Sequence, residues 1–381
     1  MKIIHLADIH LGYRAYNRIT SKGINRREAD VSQAFRSALI SVAASEPDLI
    51  IIAGDLFHVV RPSNIIIQQT FKDFAMLRAK TKAPIVIIGG NHDSPRSIDT
   101  GCILDLYKNL PEIYVVHTKY EQIDLPELDT SICCLCHRSL AELSNLKLEP
   151  DSQSKYNILT VHGTVEGVIH SDYDIHEIKR DDVISDKWDY IAFGHYHGFE
   201  KLAENAFYSG SIEYTSTNIW KETAIPKGYI EYDLEGRKLI DFHQLETRDV
   251  VDLRPIDAQD FNASDINKMI IDRISSIKDG HQDKIVRLII ENLQRSVQQD
   301  LDFAMIRKIR SEALHFELVF RKPAKILRDG SVVSAGTARP IELEWEEYAG
   351  IYQVPISLDK EIFKTNGLNY LTKFKAEEQN I

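Results

Sequence analysis

The sequence predicts a layered α/β protein: a mixed two-sheet sandwich flanked by helices, then a small α+β domain and an apolar C-terminal tail. Three observations lead there. Short β-branched runs alternate with helix-period patterns from residue 1 to about 245. Five of those runs end in clusters of Asp, His and Asn. Past Glu246 the alternation continues on a smaller scale, as βαβαβ with no such cluster.

The first run, Ile3-Ile4-His5-Leu6-Ala7, passes into Asp8-Ile9-His10. An Arg-rich polar loop follows, then a helix over about 28–45 with Val31, Ala34, Phe35, Ala38, Leu39 and Val42 on one face. The second strand runs into Gly54-Asp55-Leu56-Phe57-His58. Ser63, after Pro62, is placed to cap a helix reaching about residue 80. The apolar run 83–88 ends at Gly90-Asn91-His92-Asp93, and Ser97 or Asp99 starts a third helix through Leu104 and Leu106. Short strands fill 113–135; later runs end at His162-Gly163 and at Gly194-His195-Tyr196-His197. Strands over 206–209, 228–233 and 238–243 read as antiparallel around turns such as Glu235-Gly236.

The small domain reads as strand 250–256, helix 264–277, strand 284–291, helix 300–309 and strand 314–320. Residues 322–340, with Asp329-Gly330 and Ala335-Gly336, have linker composition. The tail 341–381 carries Leu343, Trp345, Tyr348, Tyr352, Phe363, Tyr370 and Phe374, too few for a core of its own. It reads either as a docking segment for a partner or as a tail folded back on its own domains.

A chain of 381 residues allows about two or three domains. No apolar run approaches the roughly 20 residues of a membrane span. Met1-Lys2 leads straight into a strand, unlike a signal peptide. Cys102, Cys133, Cys134 and Cys136 make no disulfide framework or zinc knuckle, and reduced buried thiols suit a cytoplasmic protein. The net charge of −11 argues against a nucleic-acid partner. Bound cations reverse the local field of ligand carboxylates, however, and Arg14, Arg18, Lys22, Arg26 and Arg27 form a basic cluster.

In layered α/β folds, ligands sit outside the carboxyl ends of strands. Asp8, His10, Asp55, Asn91, His162, His195 and His197 therefore point to one shared metal site. This oxygen and nitrogen set, without thiolate, suits Mn²⁺, Fe²⁺ or Zn²⁺ better than Mg²⁺ or Ca²⁺. It is too large for one tetrahedral ion and suits two ions about 4 Å apart, bridged by a carboxylate. Such a pair holds a phosphate, supplies hydroxide near neutral pH and stabilises an in-line displacement.

The pattern D-x-H, G-D, G-N-H-D, H and G-H-x-H resembles the calcineurin-type metallophosphoesterases. Ile4-His5-Leu6-Ala7-Asp8-Ile9-His10-Leu11-Gly12, Ala53-Gly54-Asp55-Leu56-Phe57-His58 with Arg61-Pro62-Ser63, and Tyr208-Ser209-Gly210-Ser211-Ile212-Glu213 bring the likeness closest to the SbcD nucleases, prokaryotic counterparts of the meiotic-recombination-eleven nuclease. The resemblance covers about residues 1–320. It implies a calcineurin-like two-sheet sandwich, with Asp8, His10 and His197 on one metal, Asn91, His162 and His195 on the other, and Asp55 bridging.

By the same resemblance His92 protonates the leaving oxygen or stabilises the transition state, Asp93 accepts the His92 ring N–H, and His58 helps to position the DNA phosphate; nearby Arg61 adds a charge-assisted contact. Residues 1–245 become a nuclease domain, 246–321 a DNA-binding cap, 322–340 a linker and 341–381 the docking segment for an SbcC-type SMC-like ATPase. The implied activity is a manganese-dependent 3′–5′ exonuclease and hairpin or single-strand endonuclease with two Mn²⁺ per chain, although Fe, Zn or Mg also fit. A homodimer is implied, paired through the helices at 63–80 and 98–109 by Phe71, Phe74, Leu77 or Leu104, and a cytoplasmic, nucleoid-associated location.

The loop with Arg14 and Arg18 contacts the DNA backbone or is a solvated face. Tyr13 and Tyr196 stack on a base or simply pack. His5, His117, His137, His170, His176, His243, His281 and His315 match no motif and read as structural or surface residues. Two other readings remain: a small-molecule phosphodiesterase or phosphatase of the same superfamily, and a DNA-end-binding scaffold with secondary catalysis.

Overall fold

The structure, a computed structural model, describes residues 1–95, 97, 100–146, 148–168, 177–323, 325–326, 332–333, 345, 348–350, 352 and 359–378. His170, His176, most of the expected linker and part of the expected docking segment lie outside them. The chain forms two compact units. One comprises Met1–Asp252, Ile277–Arg287 and Arg307–Phe316, the other Leu253–Ser276, Leu288–Ile306 and Glu317–Ile381.

In the first unit the chain runs β1 (Lys2–Leu6), α1 (Arg26–Ala44), β2 (Leu49–Ile52), α2 (Asn64–Arg78), β3 (Ile85–Ile88) and β4 (Ile113–Val116). It continues through β5 (Glu121–Leu125), β6 (Thr130–Leu135), β7 (Tyr156–His162), β8 (Tyr190–Gly194), β9 (Glu200–Ala203) and β10 (Ala206–Tyr208). A final hairpin is β11 (Gly228–Asp233) and β12 (Lys238–Gln244). One mixed sheet has the order β12-β11-β1-β2-β3-β4, the other β5-β6-β7-β8-β10-β9. Ile51, Val86, Ile88 and Ile230 of the first meet Ile132, Ile158, Tyr190 and Phe207 of the second in one buried layer. This is the expected two-sheet sandwich.

The helices cover the other face of the first sheet. Asn25 caps α1 by accepting from the Arg27 and Glu28 amides, and Ser63 caps α2 by accepting from the Ile66 amide. The face Val31, Ala34, Phe35, Ala38, Leu39 and Val42 is buried, as its spacing requires. Phe74, Leu77 and Leu104 lie in the same core, so they pack on this chain's own sheet and do not form an exposed pairing surface.

Three elements differ from expectation. The third helix is a 3₁₀ segment, Ile103–Asn109, confined between Gly101 and Pro111. Strand β10 pairs parallel to β8, and its antiparallel neighbour is β9. The strand expected over 250–256 is two pieces, Val250–Asp252 and Ile256–Asp257, because Pro255 has no N–H for a ladder.

In the second unit, helix Ala263–Ser275 is capped by Asn262 and buries Ile266, Ile270 and Ile274. Ile256–Asp257 pairs in parallel with Ile290–Glu291. Beside helix Lys360–Glu378 the tail's aromatic rings gather on one another, Trp345 lying 5.2 Å from Phe363 and Tyr352 5.6 Å from Phe363. Among the described residues no helix is long and apolar enough to cross a membrane.

Candidate metal centre

Strand register brings the polar clusters together. His5, Leu6, Ile51, Ile52, Ile87 and Ile88 lie at neighbouring ends of parallel strands, so the segments leaving β1, β2 and β3 emerge at one edge. The ladder continues past the strands: Asp8 N donates to Gly54 O at 3.1 Å and His10 N to Asp55 O at 2.9 Å. In the second sheet His162 pairs with Gly194, which places His195 beside it.

The backbone is bent to make these side chains converge. Asp8, His10, Asp55 and His195 all have positive φ, at 51°, 54°, 51° and 96°. Each such non-glycine residue costs on the order of 1–3 kcal/mol, and such residues cluster at functional sites. Two cross-sheet links hold the edges together. The Asp8 carboxylate accepts from the His195 amide at 3.0 Å. Fully buried His5 donates from Nε2 to Phe193 O at 3.1 Å, while its Nδ1 lies 3.0 Å from the Tyr190 hydroxyl. Burial lowers the His5 pKa to about 3, so this imidazole is neutral and Nδ1 accepts.

All the expected ligands meet in two adjoining groups. His10 Nε2 is 3.0 Å from His197 Nε2, with Asp8 in the same group. Asn91 Oδ1 is 3.0 Å from both His162 Nε2 and His195 Nδ1. Asp55 Oδ2 stands between them, 3.7 Å from His10 Nε2 and 3.4 Å from His162 Nε2. Ligand atoms bound at about 2.1 Å and separated by 90–110° lie about 3.0–3.4 Å apart, so the 3.0 and 3.4 Å spacings fit divalent cations, and the 3.7 Å spacing is slightly wider.

The electrostatics agree. Burial, with Asp55 nearby, raises the Asp8 pKa to about 6, and burial lowers that of His10 to about 3. Burial works against the charge on Asp55 too, yet His162 and His10 hold its carboxyl below the usual range. Burial would lower the His162 pKa, but Asp55 and Asp8 raise it. Nδ1–H of His162 donates to Ala53 O at 2.8 Å, which directs Nε2 at Asn91 and Asp55, where it takes either a proton or a cation. Asn91 is exposed and His92, His195 and His197 are partly so, which opens the site on that side.

His92 and His58 lie beside the first group. The His92 ring is edge-on to His10 at 4.8 Å and stacks on His58 at 5.1 Å. The His92 amide donates to Asp55 Oδ1 at 2.9 Å. The expected Asp93–His92 contact is replaced. The His92 Nδ1 partner is the His58 carbonyl at 3.0 Å, and buried Asp93 accepts from the Gly90 and Phe57 amides. In a turn this tight, a carboxylate reaches its own backbone before it reaches the adjacent side chain.

The arginines are largely engaged within the chain. Arg14 pairs with Glu28, and Arg18 donates to the carbonyls of Arg310, Ser311 and Ala313, the open end of helix Phe303–Glu312. Arg26 pairs with Asp283 and buried Arg27 with Asp30 and Glu213, while Arg61 is exposed. His137, given no role by its sequence context, stacks on His195 at 6.0 Å and meets His162 edge-on at 6.1 Å. Its signal is the same strand-end placement, just past β6.

A model of the calcineurin-like phosphoesterase family matches residues 1–199. That match, with this sandwich and donor set, defines a metal-dependent phosphodiesterase. The chain is 30% identical over 302 residues to the SbcD component of the nuclease SbcCD of Staphylococcus epidermidis, covering 72% of this chain and 75% of the relative. It is 27% identical over 281 residues to DNA double-strand break repair protein Mre11 of Methanocaldococcus jannaschii, covering 71% and 73%. To Mre11 of Archaeoglobus fulgidus it is 25% identical over 362 residues, covering 84% and 75%. The chain belongs to the calcineurin-like phosphoesterase family and, within it, to the Mre11/SbcD group.

Gly90 shows how tightly the centre is built. A Cβ there would fall on Asp55 Oδ1 and lie 2.5 Å from the Asp55 amide nitrogen. Gly90→Ala is therefore expected to weaken divalent-ion binding about tenfold or more, as read by titration calorimetry with Mn²⁺.

Proposed function

We propose that the protein is a DNA nuclease of double-strand-break repair, a manganese-dependent 3′–5′ exonuclease and single-strand or hairpin endonuclease. The observation that carries this reading is the meeting of the strand-end ligands in two groups that share Asp55, with His92 and His58 at their open side. Asp8, His10 and His197 would hold one cation, Asn91, His162 and His195 the other, with Asp55 between. When bound, such a pair lowers the pKa of water and neutralises charge on a phosphodiester.

The chain's own groups do the rest. His92 Nδ1–H donates to the His58 carbonyl, which fixes the ring from behind, and Nε2 serves the leaving oxygen or the transition-state charge. The His58 imidazole and the exposed guanidinium of Arg61 orient the phosphate, with Arg14 along the strand. Arg18 already serves a helix end. Residues 246–321 act as the cap over DNA. The segment 341–381, with exposed Tyr348, Ile362 and Tyr370, docks an SMC-like ATPase, and the homodimer uses the outward face of α2 around Ile65. The relatives' names support the break-repair setting, and on this reading the protein works at the nucleoid in the cytoplasm.

Purified protein is expected to degrade linear duplex and to nick hairpin DNA with Mn²⁺, and to stop when the ions are chelated. His92→Gln is expected to lose on the order of 100- to 10,000-fold in rate while binding both ions. DNA cleavage by the variant at the wild-type rate, or cleavage that survives chelation, contradicts the reading.

A further inference from the structure

His162 and His197 are held in place by different means. The His162 ring is oriented through its Nδ1–H bond to Ala53. The Nδ1 of His197 is buried and has no hydrogen-bond partner among the described residues, so no polar group orients that ring from behind. Its backbone is gripped instead. The His197 carbonyl accepts from Lys227 Nζ at 2.7 Å and from the Ser211 amide at 3.1 Å, with Ser211 Oγ at 3.3 Å. Gly210 lets this segment come close, since a Cβ there would lie 3.0 Å from the His197 oxygen and 2.8 Å from the Gly198 carbonyl carbon.

The Lys227 ammonium is fully buried, a costly placement unless its donors are paired. They are paired: besides His197 O it reaches Glu222 Oε2 at 2.7 Å and Ser211 Oγ at 3.0 Å, and it lies 5.0 Å from the Tyr214 ring centroid. An apolar side chain would fill the same space at lower cost. What it cannot do is draw a carbonyl two residues beyond His195 into a fixed position.

We propose that Lys227, with Ser211 and Gly210, is a positioning residue that sets His197 and through it the first of the two cation sites. This rests on the two-ion reading above and gives the Tyr208-Ser209-Gly210-Ser211 stretch a task. The ion held by Asn91, His162 and His195 does not depend on Lys227.

The test is Mn²⁺ titration of the full-length protein, followed by calorimetry and by the spin-coupled electron paramagnetic resonance signal of paired ions. Lys227→Met is combined with Glu222→Gln so that no carboxylate is left buried alone. The double variant is expected to keep one tight ion, to bind the second about 10- to 100-fold more weakly, and to lose the coupled signal. In a His197→Ala background the same pair of changes is expected to add nothing, because the two act on one site. Equal weakening of both ions, undiminished loading, or a full additive loss in the His197→Ala background overturns the proposal. Should the double variant not fold, Lys227→Arg keeps the charge but moves the donors, and its selective or non-selective loss decides in the same way. Wild-type protein that takes up no Mn²⁺ refutes the two-ion reading itself, an outcome distinct from failure of the Lys227 variants.

Discussion

Asp55→Asn is expected to remove paired ion binding and on the order of a thousandfold or more of phosphodiester hydrolysis. The substitution is nearly isosteric, and an amide oxygen can still accept from the His92 amide as Oδ1 now does at 2.9 Å. What disappears is the charge at Oδ2, a carboxylate oxygen within 3.7 Å of imidazoles from both groups. That leaves Asp8 as the one carboxylate among the proposed ligands, and burial already disfavours its ionised form. Elemental analysis after dialysis against Mn²⁺, beside a cleavage assay, checks the result. A variant that retains two ions per chain contradicts the bridging role.

Arg27→Met is expected to cost about 3–5 kcal/mol of stability, the usual consequence of removing one partner from a buried ion pair. Arg27 sits in the first turn of α1 and is 1% exposed. Its guanidinium reaches Asp30 at 2.9 Å, Glu213 at 3.1 Å and the Tyr214 carbonyl at 2.8 Å. Glu213 is equally buried and also accepts from the Tyr214 and Arg248 amides. Methionine fills the volume but leaves that carboxylate without its cation. Denaturant unfolding measures the loss, and adding Glu213→Gln is expected to recover part of it by removing the orphaned charge. Equal stability of Arg27→Met and wild type contradicts this account.

Much of the centre is legible in the sequence because a ligand's type and its strand-end position are both local properties. Asp8, Asp55, Asn91 and His195 each follow an apolar run, and parallel register does the rest. The caps Asn25 and Ser63 and the buried face of α1 obey equally local rules.

What stays hidden depends on partners distant along the chain or on backbone geometry. Arg18 meets carbonyls nearly three hundred residues away, and no pattern within the loop announces them. Asp93 turns to the Gly90 and Phe57 amides because the turn offers them first. Nothing in the sequence around Lys227 announces its burial, and only the fold reveals that it is enclosed. His137 carries a readable signal, but an isolated histidine after a cysteine-rich strand resembles none of the ligand motifs.

The ligands are divided between two sheets that touch through a layer of Ile51, Val86, Ile132, Ala192 and Phe207. The gap across which the proposed ion pair would be held is therefore a thickness, set by side chains that never see substrate. A methylene added deep in that layer is expected to shift the sheets and lower cleavage while the fold holds, as read by a cleavage assay beside denaturant unfolding. Drift in the interior of such a protein is drift in its catalyst, and loss of cleavage without loss of fold is the symptom to look for when screening interior variants.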